Sequence, residues 1–129
     1  PMFFMNEELG IGIDIESINR FHGLEQAKDA LFFEKIYTPD ELAYCFSKTN
    51  PAPHLAVRFA AKEAVVKALY SLGREAIPFS AIEISHNLQG LPLIKINHKE
   101  HVQLQSKISL SHCQDKAVAF ALLKRVENK

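Results

Sequence analysis

Residues 53–72 carry apolar side chains at almost every angle round a helix. Placed at steps of about 100°, Leu55, Phe59, Val66 and Leu69 form one stripe, flanked by Ala56, Ala60, Ala61, Ala64 and Ala68. A helix apolar on all sides must be covered on several of them. A chain of 129 residues can do that only by wrapping its other elements round the helix in one core. Residues 1–129 are therefore expected to form a single domain, with Gly73 ending the central helix.

The flanking segments have other periods. Residues 9–15 alternate, with Leu9, Ile11, Ile13 and Ile15 on one face and Gly10, Gly12 and Asp14 on the other, a strand. The bare glycine face lets another backbone or a helix approach closely. Residues 24–36 have a helical rhythm through Ala27, Leu31 and Phe32. Thr38, Pro39 and Glu41 then supply an N-cap, a first-turn proline and a capping-box acid. Beyond Gly73 the period becomes two: Ile82 and Ile84 form one strand and residues 93–96 its return, joined by a turn at residues 87–90. Residues 98–106 are ambiguous, with room for a helical turn or two. Residues 108–112 and 118–122 are two more strands. The fold class is α+β, a largely antiparallel sheet packed against a long central helix.

Lys plus Arg equals Asp plus Glu at 15 each, so net charge makes no case for nucleic acid. The balance conceals a polarity: residues 1–50 hold nine acids against four bases, and the remainder eleven bases against six acids. Such asymmetry suits a protein that holds a cation in one place and an anion in another, and equally two faces that attract each other. No apolar run reaches the ~20 residues of a membrane span, and the apolar start Met2, Phe3, Phe4, Met5 is too short for a signal-peptide core. Cys45 and Cys113 have no CxxC pairing and read as reduced thiols of a cytoplasmic protein.

Chemistry concentrates in two segments. Asp14 and Glu16 lie two apart on one strand face, their backbone positions about 6.6 Å apart, an arrangement suited to a hard cation such as Mg²⁺. On the central helix Glu63 and Lys67 share one line, and Arg58 and Lys62 another. Beside so many alanines a charge must be paired or hold a ligand. A carboxylate plus several cations on a packed helix suits a metal–phosphate complex. There is no Walker loop, Ile15 stands where a dinucleotide motif needs its third glycine, and no G-x-S-x-G occurs. His98 and His101 lack a third zinc ligand.

Three segments together resemble one family. Gly10-Ile11-Gly12-Ile13-Asp14-Ile15, continuing to Arg20-Phe21, is similar to the GxGxDIxxxxRF opening of holo-acyl-carrier-protein synthases, members of the 4'-phosphopantetheinyl transferase superfamily. Arg58-Phe59-Ala60-Ala61-Lys62-Glu63-Ala64, continuing to Lys67-Ala68, resembles their RFAxKEAxxKA signature. Ser109-Leu110-Ser111-His112 with Ala117 and Ala119 resembles their closing strand pair.

The resemblance implies a 4'-phosphopantetheinyl transferase-like fold and transfer of the phosphopantetheine arm of coenzyme A to a serine of acyl carrier protein, releasing adenosine 3',5'-bisphosphate. It implies that Asp14 and Glu63 hold Mg²⁺ against the coenzyme A pyrophosphate and that Lys67 neutralises charge there. Glu63, or a water on the metal, would help remove the serine proton. Arg58, Lys62 and His112 would line the nucleotide site, Arg20 would face the carrier protein, and the chain would assemble as a homotrimer. Two departures stand out. Tyr70-Ser71-Leu72-Gly73-Arg74 replaces a Gly-Thr-Gly common in small synthases, and Glu16 resembles the second acid of the larger two-lobed transferases, a candidate third metal ligand. The altered loop leaves a catalytically silent trimeric binding module of the same fold as the alternative.

Overall fold

The computed structural model describes residues 9–98 and 104–126. The apolar start and most of the ambiguous 98–106 segment therefore lie outside the described residues. Strand β1 (Leu9–Ser17) leads through a 3₁₀ turn at Ile18–Phe21 to helices α1 (Ala30–Ile36), α2 (Pro39–Phe46) and α3 (Pro51–Ser71). Strands β2 (Ile82–His86), β3 (Pro92–Ile96), β4 (Leu104–His112) and β5 (Lys116–Arg125) follow. All pairings are antiparallel: β1-β5-β4 make one sheet and β2-β3 a second.

The α+β architecture agrees with the sequence, and α3 is its axis. Ala56, Ala60, Ala61, Ala64, Val65, Ala68 and Leu69 are fully covered. Gly10 and Gly12 let β1 lie directly on α3. A Cβ at Gly12 would stand 1.9 Å from the Ala64 carbonyl oxygen, and one at Gly10 2.2 Å from that of Ala68. Ala117, Ala119, Ala121 and Leu123 of β5 complete the same buried face. The opposite face is bare: Leu9, Ile11, Ile13 and Ile15 are half exposed or more, and Phe120 stands exposed beside Ile13 in the register.

Local signals decide the helix ends. Thr38 accepts from the Glu41 N–H at 3.2 Å while Glu41 Oε1 accepts from the Thr38 N–H at 2.9 Å, closing the expected capping box. Pro51 starts α3 two residues ahead of the expected position, where its missing N–H costs nothing. Gly73 ends it at φ +79°, with the Arg74 N–H turned back to the Leu69 carbonyl at 2.8 Å. The helix expected over 24–36 is the main correction. It starts only at Ala30, because Asp29 Oδ2 accepts from the Glu25 N–H at 2.9 Å, a side-chain turn that competes with helix.

A buried polar network ties α2, α3 and β2 together. Lys62 Nζ lies 2.8 Å from Glu41 Oε1 with both side chains at most 1% exposed, and it also donates to the carbonyls of Phe79 and Ile82. Glu41 Oε2 accepts from the Ile84 N–H at 2.8 Å, and Thr38 donates to Glu83 at 2.6 Å. Burial pulls the Lys62 pKa down and Glu41 opposes it. Lys62→Met strands the Glu41 charge in the interior, and we expect a loss of about 3 kcal/mol in denaturant unfolding, within the usual cost of breaking a buried pair.

Candidate functional site

The pleat and the helix bring one group of acids together. Asp14 and Glu16 project from the α3-facing side of β1, opposite Ala119 and Ala117, whose small side chains leave the carboxylates space beside α3. Glu63 approaches from α3, one turn before Lys67. Lys67 Nζ stands 3.3 Å from Asp14 Oδ1 and donates to the Ile13 carbonyl at 3.0 Å. Its side chain is half exposed rather than enclosed, so it is free to meet an incoming anion. Glu16 Oε1 pairs with Arg20 at 2.7 Å, and the Arg20 guanidinium lies 4.9 Å from the Phe59 ring centre.

This group is short of positive charge. Asp14 Oδ2 is buried without a hydrogen-bond partner. The Glu63 carboxyl is raised above its ordinary range by burial first and by the Asp14 charge next, with Lys67 and Arg20 opposing. Glu16 is raised too, by burial and then by contact with Asp14, against Arg20. No group of three or more His, Cys, Asp or Glu side chains among the described residues is arranged to hold a metal ion. Two carboxylates with one orphaned oxygen nevertheless fit Mg²⁺, which needs few protein ligands and keeps waters or phosphate oxygens in its other positions.

The raised Glu63 pKa has a sign. The native carboxyl keeps its proton above the pH at which the unfolded chain releases it. That stabilisation is full below about 4.5 and lost as pH climbs through the native value. Glu63→Gln should therefore raise the melting temperature at neutral pH without divalent cations.

A second cluster surrounds Tyr44. Arg58, only 2% exposed, places its guanidinium 4.4 Å from the Tyr44 ring centre and Lys48 its ammonium 4.6 Å from it. The rings of His86 and His54 stand 5.3 and 5.8 Å away. Arg58 Nη1 donates to the His54 carbonyl at 3.3 Å, while its Nε is buried without a partner. Tyr44, Arg58, Ser85 and His86 line a cavity of about 290 Å³, with Asp40 and Glu83 also in its wall. Burial lowers the His54 pKa first, and then Arg58, Lys48, His112 and His86 in turn. The structure thus brings His112, exposed at the end of β4, close enough to His54 for its charge to act there.

The structure separates the candidates that the sequence grouped. Asp14, Glu16, Glu63, Lys67 and Arg20 converge, and Arg58 and His112 share the second cluster. Lys62 requires correction: it is 0% exposed, and Glu41 and two carbonyls use its donors. One turn beyond Arg58, it faces the interior and supports the wall of the cavity instead of reaching a ligand. Sequence reasoning missed Tyr44, Lys48, His54 and His86. His54 could have been found, since it stands one helical turn before Arg58; the others need the tertiary structure. Burial pushes the Cys45 thiol up to about 11, and both cysteines are free.

This fold is shared with solved enzymes. The chain belongs to the 4'-phosphopantetheinyl transferase superfamily, whose family model matches residues 10–121, and it is a transferase of that class. More particularly, it is 38% identical over 114 residues to the holo-acyl-carrier-protein synthase of Thermodesulfovibrio yellowstonii, covering 88% of this chain and 96% of that one. It is 41% identical over 116 residues to the Chlamydia muridarum protein of the same name, covering 88% and 92%. The Helicobacter pylori synthase, solved in complex with coenzyme A, superimposes with a TM-score of 0.75 at 31% identity, over 88% of this chain and 99% of that one. Among the described residues, no helix is long and apolar enough to cross a membrane.

Proposed function

We propose that this protein transfers the 4'-phosphopantetheine group of coenzyme A to a serine of an apo acyl carrier protein in the cytoplasm. The reaction is Mg²⁺-dependent and releases adenosine 3',5'-bisphosphate. The observation that carries this reading is the convergence of Asp14 and Glu63 beside Lys67, with one Asp14 oxygen buried and unpartnered.

Asp14 and Glu63, with Glu16 as a third candidate, would hold Mg²⁺. When bound, the ion draws charge from the pyrophosphate and orients it for displacement. Lys67 lies against Asp14, its half-exposed ammonium available to the same pyrophosphate. Arg58 and His112, with Tyr44, Lys48, His54 and His86, receive the nucleotide end, where an anion meets several cations and an aromatic wall. The serine oxygen attacks the β-phosphorus, its proton passes to Glu63, and the bond to the nucleotide phosphate breaks. Arg20, 54% exposed at its side chain, faces the acidic carrier. The rest is positioning.

The same proposal includes a homotrimer. A sheet face presenting Ile11, Ile13, Ile15 and Phe120 to water is an apolar patch that a second copy covers. Lys67 borders the hollow of about 260 Å³ that Ile11, Gly12, Ile13 and Phe120 form there, so an interface on this face would lie next to the acids. Sedimentation equilibrium should give three chains per particle, and a monomer at micromolar concentration overturns this part.

The main test is to incubate the protein with apo carrier protein, coenzyme A and Mg²⁺ and to weigh the carrier. A gain of one phosphopantetheine supports the reading, and no gain with any carrier favours a silent binding module.

A further inference from the structure

We propose that Arg20 is an internal competitor of the divalent cation. It occupies the Glu16 carboxylate beside the Asp14–Glu63 group, and an acidic group on the protein substrate that takes Arg20 away frees Glu16 for the cation. The inference rests on the reading of Asp14 and Glu63 as a Mg²⁺ site. It adds a coupling between the two substrates' sites that no residue role stated above contains.

Three observations carry it. Arg20 Nη1 lies 2.7 Å from Glu16 Oε1, so this Glu16 oxygen is engaged by a cation already. Glu16 also interacts directly with Asp14, so once Arg20 leaves, its carboxylate is already beside the group. Arg20 is also built to leave. Its side chain is 54% exposed while that of Glu16 is 13% exposed, and its guanidinium rests on the faces of Phe59 and Phe21, 4.9 and 5.6 Å from the ring centres. Those faces hold a planar cation at the surface without fixing its hydrogen bonds. The charged groups that act on Glu16 are two: Asp14 repels it, while Arg20 attracts it directly. Arg20 also lowers the Glu63 pKa through its field, so one guanidinium compensates two of the three acids. A dication near this group must displace or outweigh it.

Such competition is reciprocal. If occupancy of Arg20 by a carboxylate of the partner strengthens cation binding, the cation strengthens partner binding by the same factor. Cation loading would then be greatest when the acceptor is docked.

The test measures cation binding alone, with no coenzyme A and no turnover. Mn²⁺ is titrated into the full chain at fixed ionic strength, and free Mn²⁺ is counted by electron paramagnetic resonance. The four proteins are the wild type, Arg20→Ala, Glu16→Gln and the double variant. Arg20→Ala should tighten Mn²⁺ about tenfold, a typical coupling between sites. In the Glu16→Gln background the same change should have less than about a twofold effect, because the competitor then has nothing to withhold. Saturating apo carrier protein should tighten Mn²⁺ on the wild type and leave the three variants unmoved.

The proposal is overturned if Arg20→Ala leaves the affinity unchanged or weakens it, or if none of the four proteins binds Mn²⁺. It also fails if the gain is equally large in the Glu16→Gln background, since Arg20 then acts only through its field. Failure of the transfer assay leaves this cation measurement standing, so the two readings fall separately. Circular dichroism of each variant checks that the fold is retained.

Discussion

Asp14→Ala is expected to lower kcat/KM for phosphopantetheine transfer by at least about a thousandfold, equal to roughly 4 kcal/mol of transition-state stabilisation, with the fold unharmed. Asp14 carries the orphaned oxygen of the acid group and a side-chain oxygen that Lys67 contacts. Its removal takes away a proposed cation ligand and the carboxylate that Lys67 contacts. Stability should hold or rise, because the Asp14 charge raises the pKa of both Glu16 and Glu63, and Lys67 keeps the Ile13 carbonyl. Thermal melting beside a carrier-mass assay separates the two effects. Activity retained in a folded variant is fatal to the proposed site.

The largest effect on the fold should come from Gly12→Ala. A methyl group there meets the Ala64 carbonyl oxygen at 1.9 Å and the Ala68 nitrogen at 2.8 Å. Both are backbone atoms of α3, so no side-chain rotation relieves the overlap, and β1 must withdraw from the helix. Overpacking a core costs about 1–3 kcal/mol where side chains adapt. A clash between two backbones should exceed that range and, with marginal stability overall, leave much of the chain unfolded near 37 °C. Gly23→Ala is the control: nothing lies within 4 Å of its added carbon, and its midpoint in urea should be unchanged. A normal midpoint for Gly12→Ala would show that β1 does not lie directly on α3. Because Asp14 is two residues along the same strand, any surviving Gly12→Ala protein should also bind cation poorly.

Much of this was legible in one dimension. The alternation of glycine and isoleucine in β1 predicted a bare face for close approach, and that face meets α3. The capping box at Thr38 and Glu41 and the stop at Gly73 are local chemistry, settled within four residues. Legibility failed where a competing local bond intervened, as at Asp29, which delays α1. It failed again at Lys62, where spacing on the helix placed a cation beside Arg58 but said nothing of Glu41, 21 positions earlier in the chain.

By itself, the order of residues determined the periods, the caps and the types of side chain available, because each depends on neighbours within a turn or a pleat. Only the folded chain decided which charges meet. Arg58 and Lys62 are one turn apart, yet one lines a cavity and the other closes a buried ion pair. Asp14 and Glu63 are 49 residues apart in the sequence and act on one another through space. Electrostatic energy follows distance and burial, and both are properties of packing that no spacing along the chain contains.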